Sequence, residues 1–93
     1  MDALTTGYHN VAVGYHSLGA ATAADYNVAI GKSALAAATT SDFNTAVGAE
    51  ALEANTTGHS NTSIGFRSME ANTEGIRNVA VGYISLQSLT TGD

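Results

Sequence analysis

Few residues in this 93-residue sequence are of types that do chemistry, and the spacing of each decides against the reaction it suggests. Gly31-Lys32-Ser33 ends like a phosphate-binding loop, whose backbone amides and lysine cradle phosphoryl oxygens. That pattern needs a glycine five residues before Gly31, and Tyr26 stands there. Ser17 has Gly19 after it but Tyr15 before it, so it lacks the flanking glycines of a nucleophile elbow. His9, His16 and His59 include no i, i+4 ligand pair and no recurring carboxylate partner, and they read as surface residues. A metal held across a threefold axis by one His per chain is the alternative. Asp25 and Asp42 are 17 residues apart, and two carboxylates brought that close favour solvent exposure or a bound cation, exposure being the simpler. Asn55 and Asn61 each open a glycosylation acceptor pattern that the abundance of Thr and Ser explains by chance. No catalytic set emerges; the sequence reads as a non-enzyme with no cofactor and no metal site.

Composition narrows the partners. Three Lys plus Arg against eight Asp plus Glu give a net charge of -5, without a basic patch to neutralise phosphates, so nucleic acid and anionic membrane surfaces are disfavoured. No apolar run reaches the roughly 20 residues that span a bilayer, and the N-terminus lacks the pattern of a signal peptide. Without cysteine there is neither a disulfide framework nor thiolate ligation. Hydrophobic residues make up 44%, but 17 of them are alanine and only 20 are Val, Ile, Leu, Met or Phe, too few to order a lone chain of this length. Neighbouring chains or flanking repeats are expected to complete the core.

The elements that must position these residues are set by a repeat. "NVAVG" at residues 10 to 14 returns as NVAIG, NTAVG, NTSIG and NVAVG, each 17 residues after the last, without insertion or deletion. Aligning on Asn10, Asn27, Asn44, Asn61 and Asn78 places Val13, Ile30, Val47, Ile64 and Val81 in one column. Gly14, Gly31, Gly48, Gly65 and Gly82 follow, then a Ser/Ala column, then Leu18, Leu35, Leu52, Met69 and Leu86. A threonine column closes each rung: Thr5, Thr22, Thr39, Thr56, Thr73 and Thr90. Residues 1–93 therefore form a single array of about five rungs. The phase shared by Leu4–Gly7 and Leu89–Gly92 marks it as a fragment of a longer array, with Met1 an added start.

Read physically, N-[VT]-[AS]-[VI]-G alternates a β-branched residue with a small one and ends at glycine, which predicts a short strand. The next six or so residues, rich in Ala and Leu, predict one or two helical turns, closed by Thr and then by Gly7, Gly58, Gly75 or Gly92. Ala24 and Ser41 replace that glycine in two rungs and imply strain if the backbone needs positive φ there. Such a unit cannot bury its own apolar face, so copies must stack about 4.8 Å apart as parallel strands. The Val/Ile and Leu/Met columns are then the expected core, the glycines the turns, and the asparagines a side-chain ladder along the axis. The expected fold is a repeat solenoid, mainly β with short helical turns.

The run NTAVGAEALEANTTGHSNTSIG resembles repeats of phage fibre and tail-fibre proteins, and its [NS]-x-[AV]-[IV]-G core is similar to the head repeats of trimeric autotransporter adhesins. That resemblance implies a homotrimeric, parallel β-roll or β-helix-like fibre, extracellular, on a cell surface or on a virion. The expected function is a structural shaft or head segment that presents a distal binding tip, its partners being copies of itself and flanking fibre repeats. The alternative is a receptor- or glycan-binding module that uses variable aromatics, namely Tyr8, Tyr15, Tyr26, Phe66 and Tyr83. A third reading, an ice-binding threonine face, is weakened because the column after the unbroken one reads Thr6, Ala23, Thr40, Thr57, Glu74 and Thr91.

Overall fold

A computed structural model describes residues 7–93 of the chain; Met1, Leu4, Thr5 and Thr6 of the columns above lie outside the described residues. Five parallel strands, β1 (Val11–Val13), β2 (Val28–Ile30), β3 (Thr45–Val47), β4 (Thr62–Ile64) and β5 (Val79–Val81), pair in sequence order. Every pair is offset by one repeat: Val11 lies against Val28, Val28 against Thr45, Thr45 against Thr62 and Thr62 against Val79. The chain is an all-β solenoid of about four turns.

No helix occurs among the described residues, which corrects the expected helical turns. The Ala/Leu segment is instead a chain of β-turns. The amide of Ser17 donates to Gly14 C=O, that of Gly19 to His16 C=O and that of Ala21 to Leu18 C=O, and the next rung repeats this with Ala34, Ala36 and Ala38. The first two turns carry positive φ at their third residue, as a type II turn requires: His16 at 58° and Leu18 at 50°, then Ser33 and Leu35, Glu50 and Leu52, Arg67 and Met69, Ile84 and Leu86. Local helix propensity loses because the amides between these are claimed by the neighbouring rung. Leu18 N–H donates to Ala34 C=O at 3.0 Å and Ala20 N–H to Ala36 C=O at 3.1 Å. Alternate amides thus close the turn and tie the rungs together, whereas a helix would use all of them within one rung.

Leucine and isoleucine are poor residues for positive φ, so the stack imposes this conformation against local preference. Ile84 is the β-branched case, at φ 55° and only half-buried. Ile84→Asn is expected to stabilise the chain by about 1 kcal/mol, seen as a higher urea midpoint with unchanged slope.

The interior is narrow. Leu18, Leu35, Leu52 and Met69 are fully buried, packed with Ala29, Ala46, Ser63 and Ala80 from the strands and with Ala34 and Ala51 from the turns. A second interior pairing lies across the far side of each rung. Ala21 accompanies Ala24, Ala38 accompanies Ser41, Asn55 accompanies Gly58, Asn72 accompanies Gly75 and Leu89 accompanies Gly92. A Cβ on Gly58 would overlap Asn55 Oδ1, one on Gly75 would overlap Asn72 Oδ1, and one on Gly92 would overlap Leu89 Cδ1. None of these three glycines has positive φ. Glycine there is a matter of space, and Ala24 and Ser41 fit because their partners are alanine; the expected strain is absent.

Candidate functional site

Along each strand the side chains alternate, and the asparagine fixes which side faces inward. Asn27, Asn44 and Asn61 are fully buried. The Oδ1 of each asparagine accepts the backbone N–H of the next: from Asn27 to Asn10 at 2.8 Å, from Asn44 to Asn27 at 2.9 Å, from Asn61 to Asn44 and from Asn78 to Asn61 at 3.0 Å. The Nδ2 of each donates across the corner to a carbonyl 14 residues on: Ala24, Ser41, Gly58, Gly75 and Gly92 in turn. The expected side-chain-to-side-chain ladder is therefore mainly side chain to backbone. Within the column Asn27 Nδ2 also donates to Asn10 Oδ1 at 3.2 Å, and a second side-chain pair lies elsewhere, where Asn72 Nδ2 donates to Asn55 Oδ1 at 2.8 Å. Both acceptor asparagines of the glycosylation patterns, Asn55 and Asn61, are fully buried.

With Asn and Ala inward, the two columns that alternate with them face outward. The expected core column does so: Val13 is 56% exposed and Val81 65%, with Ile30 and Ile64 exposed and Val47 half-buried. The coil has room for alanine opposite the leucines, and the larger Val and Ile take the outer face. The Leu/Met column lies inside, except that Leu86 is exposed. Val11, Val28, Thr45, Thr62 and Val79 form the second outward column, so ten β-branched residues without a charge make up one face of the sheet. Sequence reasoning placed the Val13 column in the core and gave Val11 to the same apolar layer, whereas both columns lie on the outer face of the coil. Period-two alternation puts both columns on one side and Asn with Ala on the other, and only the closed coil decides which side is inside.

Two corners border this face. The leading corner precedes each asparagine and holds His9, Tyr26, Phe43, Ser60 and Arg77, all at φ between 56° and 61°. The trailing corner follows each strand-ending glycine and holds Tyr15, Lys32, Ala49, Phe66 and Tyr83. Rings stack along the leading corner from His9 to Tyr26, 4.7 Å between centroids, and on to Phe43 at 5.2 Å. Along the trailing corner Phe66 stacks on Tyr83 at 5.5 Å, with the Arg67 guanidinium 5.3 Å from the Phe66 centroid. Tyr8, Tyr15, Tyr26 and Tyr83 are more than half exposed, and Phe66 is 39% exposed. Phe43, outside the expected ligand surface, is equally open and belongs to the same ladder.

The residues with chemical promise have structural tasks. Gly31 N–H donates to Val13 C=O and Ser33 N–H to Tyr15 C=O, so the amides that would hold phosphate join rungs instead. Asp25 Oδ1 accepts the Tyr8 amide at 2.7 Å and Asp42 Oδ1 the Asp25 amide at 2.8 Å, which accounts for stacked carboxylates without a cation. Among the described residues no group of three or more His, Cys, Asp or Glu side chains is placed to hold a metal ion. Glu53 borders a shallow alanine-floored groove with His16. Burial lifts its carboxyl above the usual range, assisted by Glu50 and Glu70 and opposed by Arg67 and Lys32. Arg67 is held by Glu50 at 2.7 Å and Glu70 at 3.4 Å, a surface ion cluster.

Comparison with known protein families, with curated proteins and with solved structures gives no match.

Proposed function

We propose that this chain is a structural segment, shaft or head, of a homotrimeric fibre on a cell surface or virion, and that it holds a binding tip at a distance. The observation that supports self-association is the outer face of β1 to β5, eight aliphatic residues and two threonines with no charge, a continuous and largely apolar surface; the fibre reading adds the resemblance of the repeat to it. A copy of the same chain is the partner that fits it. Only a surface repeating at the same rung spacing, about 4.8 Å, meshes with it along its whole length. Closing such faces around an axis supplies the core that 20 large apolar side chains cannot build in one chain.

Light scattering on the purified chain is expected to give three times the chain mass at micromolar concentration. Val47→Asp, at the middle of the face, is expected to weaken association more than 100-fold, about 3 kcal/mol, by placing a desolvated charge among aliphatic groups. Its far-ultraviolet circular dichroism is expected to stay that of a β-protein, since Val47 does not enter the coil. A wild-type monomer would overturn the reading.

The exposed rings favour a second reading, a glycan- or receptor-binding surface at Tyr8, Tyr15, Tyr26, Phe66 and Tyr83. Binding to a glycan array that Tyr15→Ala or Tyr83→Ala removes would support it. The threonine column favours no ice-binding face: Thr39 and Thr56 direct their hydroxyl hydrogens to the carbonyls of Thr56 and Thr73.

A further inference from the structure

We infer that the leading corner holds a binding slot for one planar, electron-rich aromatic ring, seated beside Ser60 between the Phe43 ring and the Arg77 guanidinium. The slot lies outside the flat face proposed to associate and does not depend on that reading.

The corner is a ladder of side chains with one step left out. Its residues His9, Tyr26, Phe43, Ser60 and Arg77 share one backbone conformation, with φ between 56° and 61°. Their amides hold them one rung apart: Tyr26 N–H donates to Tyr8 C=O at 3.0 Å, Phe43 N–H to Asp25 C=O and Ser60 N–H to Asp42 C=O at 3.1 Å, and Arg77 N–H to His59 C=O at 3.2 Å. The first three rings therefore stack at the rung spacing, 4.7 Å from His9 to Tyr26 and 5.2 Å from Tyr26 to Phe43, within 18° and 7° of parallel. At Ser60 the ladder loses its ring but keeps its register. Phe43 is more than half exposed, and among the described residues no ring or guanidinium lies against its second face. Two rungs separate Phe43 from Arg77, about 9.6 Å. A ring midway would sit about 4.8 Å from each, within the range for stacked aromatic centroids and for a cation over a ring face.

Chemistry narrows the ligand. A guanidinium favours a π-rich face, and indole offers the best one. Arg77 is exposed and pairs with Asp93 in the adjoining column; ion pairing uses the edge of the guanidinium and leaves its face for stacking. Ser60 Oγ, 3.2 Å from His59 Nδ1, is exposed and can accept an N–H from the edge of the bound ring. A saturated ring is thicker and has no π face, which separates this slot from a glycan surface. The trailing corner offers no second slot. Ala49 precedes Phe66 there by one rung, but Arg67, bonded to Glu50 at 2.7 Å, sets its guanidinium 5.3 Å from the Phe66 centroid. The chain's own cation already lies over that ring.

The chain has no tryptophan, so indole fluorescence reports a bound probe without background. The purified chain, in whatever oligomer it forms, is titrated with indole and with N-acetyltryptophanamide and followed by probe fluorescence and by amide NMR shifts. Saturable binding is expected to shift the amides of Phe43, Ser60 and Arg77 together. Ser60→Phe supplies the missing ring from the chain itself, at a φ that Tyr26 and Phe43 already adopt, and is expected to abolish binding with the circular dichroism unchanged. Phe43→Leu keeps apolar bulk without a π face and is expected to weaken binding about tenfold. Cyclohexanol, the saturated control, is expected not to bind. Binding of both probes assigns the slot to free aromatic molecules, and binding of N-acetyltryptophanamide alone assigns it to a side chain of a partner protein. Binding of neither probe would overturn the inference. So would a folded Ser60→Phe or Phe43→Leu variant that binds like the wild type, cyclohexanol binding as tightly as indole, or shifts centred on Val28 and Thr45 of the flat face.

Discussion

Gly48→Ala is expected to destabilise the chain by about 2–5 kcal/mol, a large part of the stability of a domain this size. Two causes add. Gly48 sits at φ 131°, where an L side chain is strained by about 1–2 kcal/mol. A Cβ there would also lie 2.6 Å from the Gly65 carbonyl oxygen and 2.7 Å from its carbon, backbone atoms of the next rung that cannot move without opening the sheet. Overpacking of that kind adds about 1–3 kcal/mol. Gly82→Ala separates the two causes. Its φ is 136°, but an added Cβ would meet only Ser85 Cβ, at 3.9 Å, so it is expected to lose the strain alone. Chemical denaturation of both variants at one protein concentration checks this; equal losses would show that the rung contact contributes nothing.

Asn44→Ala is expected to cost about 3 kcal/mol. The substitution removes the acceptor of the Asn61 amide, 3.0 Å away, and the donor to Gly58 C=O at 2.9 Å, both fully buried. Gly58 C=O keeps Asn55 Nδ2 at 2.9 Å, so the orphaned Asn61 amide dominates the loss, with a small cavity added. Asn78→Ala is the control. Asn78 is half-buried and in the last rung, where its side chain donates to Gly92 C=O and no described rung follows, so about 1 kcal/mol is expected. Urea midpoints at matched concentration check the difference. If Asn44→Ala and Asn78→Ala cost the same, the buried amide-to-Oδ1 bond is not what holds consecutive rungs.

The two variants probe features that differ in how plainly the chain announces them. A column of Asn and a column of Gly at a constant 17-residue interval could be read directly, because stacked rungs place identical residues above one another and any insertion would break the register. What Asn44 bonds to was not readable. Its partners are a backbone amide 17 residues on and a carbonyl 14 residues on, and only the closed coil brings them together. The Ala/Leu segment shows the same limit in the other direction. Windows such as AEALEA carry helical propensity, yet Glu50 and Leu52 adopt positive φ because their rung must bond to its neighbours around the whole perimeter. Tertiary hydrogen bonds, repeated in every rung, outweigh a local preference worth a few tenths of a kcal/mol per residue.

By itself the sequence determined the period, the number of rungs, the positions of the strands, and the scarcity of large apolar side chains and catalytic groups, since each follows from residue identity and spacing. The tertiary structure alone decided which apolar column is inside. Val13 and Leu18 are equally hydrophobic as letters, but the coil is only wide enough for alanine opposite leucine, so the leucines close inward and the valines and isoleucines turn out. It also decided that Tyr26 and Phe43 border that outer face on one side and Phe66 and Tyr83 on the other. Which corner a side chain borders depends on how each rung bends at its positive-φ residues, and that bend is set by the rung beside it.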